Sequence, residues 1–326
     1  MIIVQTPLRI SFFGGGTDFE DFYRNHSGVV LSTTINKYVF IIVKERFDDM
    51  IYVNYSRKEI VDSFEKLEHE LIREAMRITG VTKGVEITTL ADVPASGTGL
   101  GSSSSITVGL LQALYAYQGE LKTAETLARE ACQIEIDVLR KPIGKQDQYI
   151  AAYGNMRFIT FNNSSVKLEK LELSSEDKRR LDDNFLLFYT GLAKISSKIL
   201  SEQKANINDH LETLSEMRGL AFRARDAIAE GAFDELGELL DRSWKLKKQL
   251  ASKISNAKID KIYEAALEAG AIGGKIAGSG GGGFLLLYCP KERQDEVRKA
   301  LKGLRELPFR FEQDGSKVIF NYRRAE

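Results

Sequence analysis

Pro94-Ala95-Ser96-Gly97-Thr98-Gly99-Leu100-Gly101-Ser102-Ser103-Ser104-Ser105 joins a β-prone segment, 84–90, to an apolar segment of helical length, 106–117. Three glycines at alternate positions let the backbone bend and turn several N–H groups toward one point. The helix that follows adds unsatisfied amides and the positive end of its dipole, which suits a phosphate. Serine hydroxyls at such a turn reach a phosphate oxygen or a magnesium ion. An ordinary flexible turn whose serines merely cap the helix has the same composition, so spacing alone leaves both readings open. A Walker A loop is excluded, because no Lys follows the last glycine.

Upstream of this loop, 1–13 and 36–55 are rich in Val, Ile, Tyr and Phe and read as strands. The run 65–79 has helical spacing in Leu67, Leu71, Ile72, Ala75 and Met76, with Gly80 as its stop. Downstream, 123–139 reads as a helix with Thr123 as N-cap and Glu125 in its first turn. Strand, helix and loop alternate to about residue 172. The second half differs: strand 185–189, a nearly continuous helical pattern 195–255, helix 258–269, strand 284–288, helix 291–302 and strand 317–322. The chain therefore reads as α+β in two domains, 1–180 and 181–326.

Composition limits the partners. With 326 residues, 43% hydrophobic and 28% charged, the chain fits a soluble globular protein. Lys+Arg and Asp+Glu both total 46, so no global field draws nucleic acid or an anionic membrane, and neither is expected as a partner. An anionic ligand must be held by local groups. The N-terminus lacks a signal-peptide pattern, and no stretch approaches the roughly 18 apolar residues of a spanning helix. Cys132 and Cys289 cannot form a disulfide framework, and no Cys/His cluster offers zinc ligands. A reducing, cytoplasmic setting is the expectation.

Three further segments carry chemistry-bearing residues. Arg9-Ile10-Ser11-Phe12-Phe13-Gly14-Gly15-Gly16-Thr17-Asp18 ends a strand in a glycine turn. Arg9 there suits a fixed cation near a transferring phosphate, and Asp18 an acceptor for sugar hydroxyls. A surface arginine and a turn-capping aspartate fit the same letters. Glu135 and Asp147 are twelve residues apart across a helix and a loop. Paired carboxylates suit phosphoryl transfer, one for Mg²⁺ and one to orient or deprotonate the hydroxyl; two solvated carboxylates are the plain alternative. Lys275-Ile276-Ala277-Gly278-Ser279-Gly280-Gly281-Gly282-Gly283 contains a formal Gly-x-Gly-x-x-Gly, but a strand-like segment follows it where a dinucleotide site needs a helix. So many glycines imply close approach of the backbone to something, and a second wall of the nucleotide site is the expected partner.

Together and in this order, the four segments resemble the GHMP kinase family, across almost the whole chain. The resemblance implies an N-terminal ribosomal-S5-like domain, a C-terminal ferredoxin-like domain and a site between them. ATP and Mg²⁺ are implied, with a sugar phosphate as the other substrate. The nucleotide would lie at Gly97, Gly99, Leu100, Gly101, Ser102, Ser103 and Ser104. Ser103 and Glu135 look like the family's metal ligands, Asp147 like its catalytic aspartate, and Arg9 like the arginine beside it. Substrate contacts are implied at Gly14, Gly15, Gly16, Thr17, Asp18, Lys145, Gly278, Ser279 and Gly280. Apart from the resemblance, Lys194, after Tyr189-Thr190-Gly191, is a weaker candidate for substrate contact, and a solvated lysine at a helix start is the favoured reading. Galactokinases carry Glu and His where this chain has Gly15 and Gly16, and the two glycines are expected to open that wall for a longer or phosphorylated tail. The segments 12–22, 31–38 and 144–148 look most like the branch acting on D-glycero-D-manno-heptose 7-phosphate at its anomeric hydroxyl, a step toward nucleotide-activated heptoses. Fucokinase domains resemble the same branch.

A Ser-His hydrolase is disfavoured, since His26, His69 and His210 lie outside every glycine motif and no Gly-x-Ser-x-Gly occurs. A non-catalytic sugar sensor on the same fold is the competing class. Arg9, Ser103, Glu135 and Asp147 occurring together argue for catalysis instead.

Overall fold

The structure, a computed structural model, describes residues 1–94, 97–192 and 196–322. β1 (Ile2–Phe13) is buried on both faces from Thr6 onward. After α1 (Glu20–His26) it pairs antiparallel with β2 (Gly28–Glu45), Ile2 opposite Val43 and Phe13 opposite Leu31. β2 begins eight positions before the expected strand 36–55, which in turn divides before β3 (Ile51–Asn54). The early part of β2 is buried on both faces, so its sequence shows no alternation to detect.

β4 (Lys58–Val61), α2 (Glu70–Thr79) and β5 (Val85–Ala91) follow, with β3 parallel to β5. The predicted helix 65–79 starts later, because 64–66 forms a separate turn and the His69 side chain caps α2 by accepting from Ile72 N. Gly80 ends α2 in the left-handed conformation, as expected. α3 (Ser102–Gln118) is buried around most of its surface. α4 (Ala124–Cys132) is capped by Thr123 Oγ1, which accepts from Thr126 N, and continues as a π-helical turn, Gln133–Val138. α5 (Gln146–Tyr153), β6 (Met156–Phe161), β7 (Val166–Lys170) and α6 (Ser175–Asp183) complete the first half.

The second half holds β8 (Phe185–Tyr189), α7 (Ser196–Ala205), α8 (Leu211–Glu230), α9 (Phe233–Lys247), α10 (Ala257–Glu268), β9 (Gly273–Ile276), β10 (Phe284–Tyr288), α11 (Gln294–Ala300), β11 (Arg305–Glu306) and β12 (Lys317–Asn321). Two sheets result, in the α+β arrangement the sequence led us to expect. The first has the order β12-β1-β2-β5-β3-β4, with β6 and β7 attached to β2; the second is β11-β8-β10-β9. β9, Gly-Gly-Lys-Ile, has no strand signature and exists because β10 pairs with it in a fully buried place. β12 crosses back to pair with β1, so the range 181–326 is not confined to the second sheet. No helix among the described residues is long and apolar enough to cross a membrane.

One apolar core fills the first sheet against α2 to α5 and part of α8 and α9. A second gathers Trp244, Leu250, Ile254, Leu285 and Leu287 with Phe19 and Phe22 from the first half. Phe19 and Phe22 therefore anchor the turn that follows β1 to the second core.

Candidate active site

Between the two sheets lies a cleft whose lining includes Arg9, Asp18, Asp147, Gln203, Lys247 and Gly278. β1 supplies Arg9. β12 pairs with β1 only as far as Gln5, and past that point Arg9 N donates to Leu100 O at 3.0 Å, docking the glycine loop on the strand. The Arg9 guanidinium is buried and makes a two-point contact with Asp147 in the first turn of α5: Nε to Oδ1 at 2.6 Å and Nη2 to Oδ2 at 2.5 Å. Its Nη1 donates to Gly99 O at 2.6 Å. Arginine's planar fork matches a carboxylate in this way and fixes its direction.

In the loop, Gly97, Gly99 and Gly101 have φ of +76°, +79° and +79°. Alternating with Thr98 and Leu100, they form the kind of turn that directs amides toward an anion. Gly101 is the N-cap of α3, and a Cβ there would lie 3.0 Å from Arg9 Cγ. The Leu100 side chain is buried in the core, and its carbonyl is the group Arg9 uses, so any phosphate contact there is limited to backbone.

Glu135 is fully buried in the π-helical turn. It accepts from Ser103 Oγ at 2.5 Å, Ser104 Oγ at 2.7 Å and Gln148 Nε2 at 2.7 Å. The Lys141 ammonium lies 3.3 Å from Ser103 Oγ and 3.7 Å from Glu135 Oε1, so this pair of oxygens already faces positive charge. Among the described residues there is no group of three or more His, Cys, Asp or Glu able to hold a metal. A hydroxyl and a carboxylate nevertheless fit Mg²⁺, which keeps several waters and draws other ligands from substrate phosphates.

Asp18 is buried at the far side of the cleft. It accepts from Gly16 N at 2.9 Å, Gln146 Nε2 at 3.0 Å and Gln146 N at 3.3 Å. Burial, reinforced by the nearby Asp147 charge, holds its carboxyl above the usual range despite these hydrogen bonds. Gly144 is required beside it, since a Cβ there would strike the Asp18 carboxylate.

Several expected substrate residues make contacts within the scaffold. Gly14 packs against Val29, and Thr17 Oγ1 donates to Gly14 O and Val29 O at 2.8 Å each. Gly280 packs on Ile254. Lys145 precedes α5, whose first turn brings Gln146 and Asp147 to the cleft; its own ammonium lies 5.1 Å from the Tyr23 ring centroid. Of the two glycines expected to widen the cleft, Gly15 lines it, and a Cβ there would lie 3.6 Å from Gln146 Nε2 and 3.8 Å from Ser11 Oγ. At Gly16 a side chain would meet Gln203 Nε2 from α7, with Leu214 Cδ2 at 3.2 Å, so that space is already filled. Lys194 lies outside the described residues.

The second glycine segment packs on the first. A Cβ at Gly278 would lie 2.8 Å from Gly99 Cα, and one at Gly283 would lie 2.6 Å from both Gly97 O and Thr98 O. Gly278 and Ser279 also line the cleft. Two lysines were not anticipated. Lys275, buried on β9, ties the halves together by donating to Ser11 O at 2.9 Å and Phe12 O at 3.0 Å. Burial, with Lys247 and Arg9 nearby, lowers its pKa well below the ordinary lysine value. Lys247 ends α9, donates to Gly278 O at 2.5 Å, and is pushed down to about 8 by burial and then by Arg9. Its signal was present: it continues the stripe Leu236, Leu240 and Trp244, the buried face of α9.

A second, roomier cleft lies beside the loop, lined by Tyr55, His69, Leu90, Val93, Pro94 and Ile106 among others.

Comparison with known proteins gives the following. Residues 53–155 match the model of the GHMP kinases N terminal domain, and 224–304 that of the GHMP kinases C terminal. The chain is 29% identical over 319 residues to the D-glycero-alpha-D-manno-heptose 7-phosphate kinase of Campylobacter jejuni, covering 92% of this chain and 93% of that protein. It is 25% identical over 335 residues to the bifunctional fucokinase/GDP-fucose pyrophosphorylase of Arabidopsis thaliana, covering 92% of this chain and 31% of that one. A crystal structure of a D-glycero-D-manno-heptose 1-phosphate kinase from Bacteroides thetaiotaomicron superposes with a TM-score of 0.83 at 26% identity, covering 99% of this chain and 100% of that chain.

Proposed function

The chain belongs to the GHMP kinase family, and from that membership we propose that it transfers the γ-phosphoryl group of ATP to the anomeric hydroxyl of D-glycero-D-manno-heptose 7-phosphate, giving the 1,7-bisphosphate. It is a phosphotransferase with a sugar alcohol group as acceptor and ATP as cosubstrate. The observation that carries the catalytic reading is the Arg9–Asp147 pair, fastened through Gly99 to the glycine loop. The heptose reading leans on the likeness to the Campylobacter jejuni kinase along both chains.

In this reading the amides of 97–101 and the start of α3 hold the ATP phosphates. The nucleoside occupies the apolar cleft beside Tyr55 and Ile106. Ser103 and Glu135 would hold Mg²⁺, which supplies neutralising charge to the phosphates when bound. Asp147 orients the acceptor hydroxyl and takes its proton, while Arg9 fixes the carboxylate. Asp18, Ser11 Oγ and Gln146 Oε1 receive sugar hydroxyls; the last two are buried polar atoms without a partner among the described residues. Gly15 leaves room for the substrate's tail. The division of the chain near residue 180 belongs to this proposal, supported by family matches on either side of it. So does a cytoplasmic setting, which suits an ATP-consuming enzyme with the free thiols Cys132 and Cys289.

ATP consumption measured with a panel of sugars tests the proposal. The heptose 7-phosphate should exceed the unphosphorylated heptose about a hundredfold in kcat/KM, the worth of two charge-assisted hydrogen bonds at roughly 1.5 kcal/mol each. Preference for L-fucose or a heptose 1-phosphate would remove the 7-phosphate assignment and leave the kinase. No consumption with any acceptor would favour a non-catalytic binder.

A further inference from the structure

We propose that Lys247 receives a phosphate oxygen in the centre of the cleft, with the group in transfer as its ligand. The inference deepens the kinase reading and rests on it. Lys247 sits in phase with Leu236, Leu240 and Trp244, so its stem runs along the buried face of α9 and its ammonium emerges in the cleft. An ammonium carries three protons, and among the described residues the hydrogen bond it makes is to Gly278 O, at 2.5 Å.

Four charged groups face it: Arg9 from β1, Asp18 from the turn after β1, Asp147 from α5 and Lys275 from β9. Among the described residues no carboxylate comes within 4.0 Å of the Lys247 ammonium. Asp147 is already engaged by Arg9. Gly278 lies on Gly99, and Arg9 donates to Gly99 O, so Lys247 and Arg9 approach the same junction between the two glycine segments. Two cations at a buried junction with one of them unpaired is an unfavourable arrangement until an anion enters. The depressed pKa of Lys247 is the same fact seen in its proton affinity. Two phosphates can supply the anion, the γ-phosphoryl of ATP and the acceptor's own. Contact with Gly278 on the loop side favours the first.

Full-length Lys247→Met and Lys247→Arg, each checked for folding by thermal melting, test this. Met keeps much of the stem and removes the charge. Its kcat/KM should fall about tenfold to hundredfold, the range expected for one charge-assisted hydrogen bond, with Arg retaining most activity. A fall of equal size with heptose 7-phosphate and unphosphorylated heptose identifies the transferred group; a fall confined to the phosphorylated acceptor identifies the acceptor's phosphate. Wild-type kcat/KM should decline above about pH 8 as the free enzyme's Lys247 loses its proton, and Lys247→Arg should move that decline upward. Calorimetric titration with inorganic phosphate should weaken in Lys247→Met by a similar factor, a readout independent of turnover. Wild-type kinetics and phosphate affinity in Lys247→Met would overturn the proposal and leave the kinase assignment untouched. An inactive wild type would remove the heptose assignment instead, and the phosphate titration would still decide the role of Lys247.

Discussion

Arg9 and Asp147, 138 positions apart, meet as a two-point ion pair in the wall of the cleft, with Arg9 nearly enclosed and Asp147 partly open to the substrate side. Such a pair holds the carboxylate in one orientation, which is what proton transfer from a bound hydroxyl requires.

Asp147→Asn keeps the shape and removes the charge. Transfer should fall by about 10²–10⁴-fold, the usual contribution of a positioned base, while ATP affinity survives. Steady-state kinetics beside a nucleotide titration checks this. An equal loss of nucleotide binding would make Asp147 a structural or metal-holding residue.

Glu135→Ala should depress turnover and raise the magnesium concentration needed for half-maximal rate. It also strands three donors, Ser103 Oγ, Ser104 Oγ and Gln148 Nε2, at about 1–3 kcal/mol for each left unsatisfied in the interior. Glu135→Gln should recover much of the lost melting temperature and still show the magnesium shift. Ordinary turnover at ordinary magnesium in either variant would refute the assignment.

Gly278→Ala separates conformation from contact. Its φ is +69°, a cost of about 1–2 kcal/mol for an L residue, and its new methyl would press on Gly99 and move the loop. Gly231→Ala has nearly the same φ, +70°, with nothing within 4 Å. Both should melt earlier, but only Gly278→Ala should raise the KM for ATP. Equal KM values in the two variants would show that the contact with Gly99 does not shape the loop.

Asp182 accepts from Phe311 N at 3.0 Å and lies 3.5 Å from Arg310, fastening the chain before it crosses to β12. Burial pushes its carboxyl up from 3.8 to about 6, against the pull of Arg310. A carboxyl raised on folding contributes stability below about pH 3.8 and loses it as pH rises through about 6. Asp182→Asn, which resembles the protonated form, should therefore melt higher than wild type at pH 7.5 and lose that advantage near pH 4. A difference independent of pH would show that the carboxyl is not raised.

The amino-acid order by itself determined the glycine loop at 97–101, the glycine turn after β1 and the α+β class. Each of these is a local device: glycine spacing, an N-cap or a run of β-branched residues acts through contiguous backbone, so a short stretch contains the whole cause. The pairing of Ser103 with Glu135 and of Arg9 with Asp147 was expected only through resemblance, because nothing in either stretch specifies its partner. Packing alone decided which neighbouring side chain faces the cleft. Gln146 does and Lys145 does not, and Gln203 occupies the space that Gly16 seemed to offer. Packing also converted Lys247 from the terminal lysine of a helix into a buried cation, and joined Ile2 to Asn321 across nearly the whole chain. Burial and strand pairing between distant segments depend on every element that closes around them, and no window of sequence holds that information.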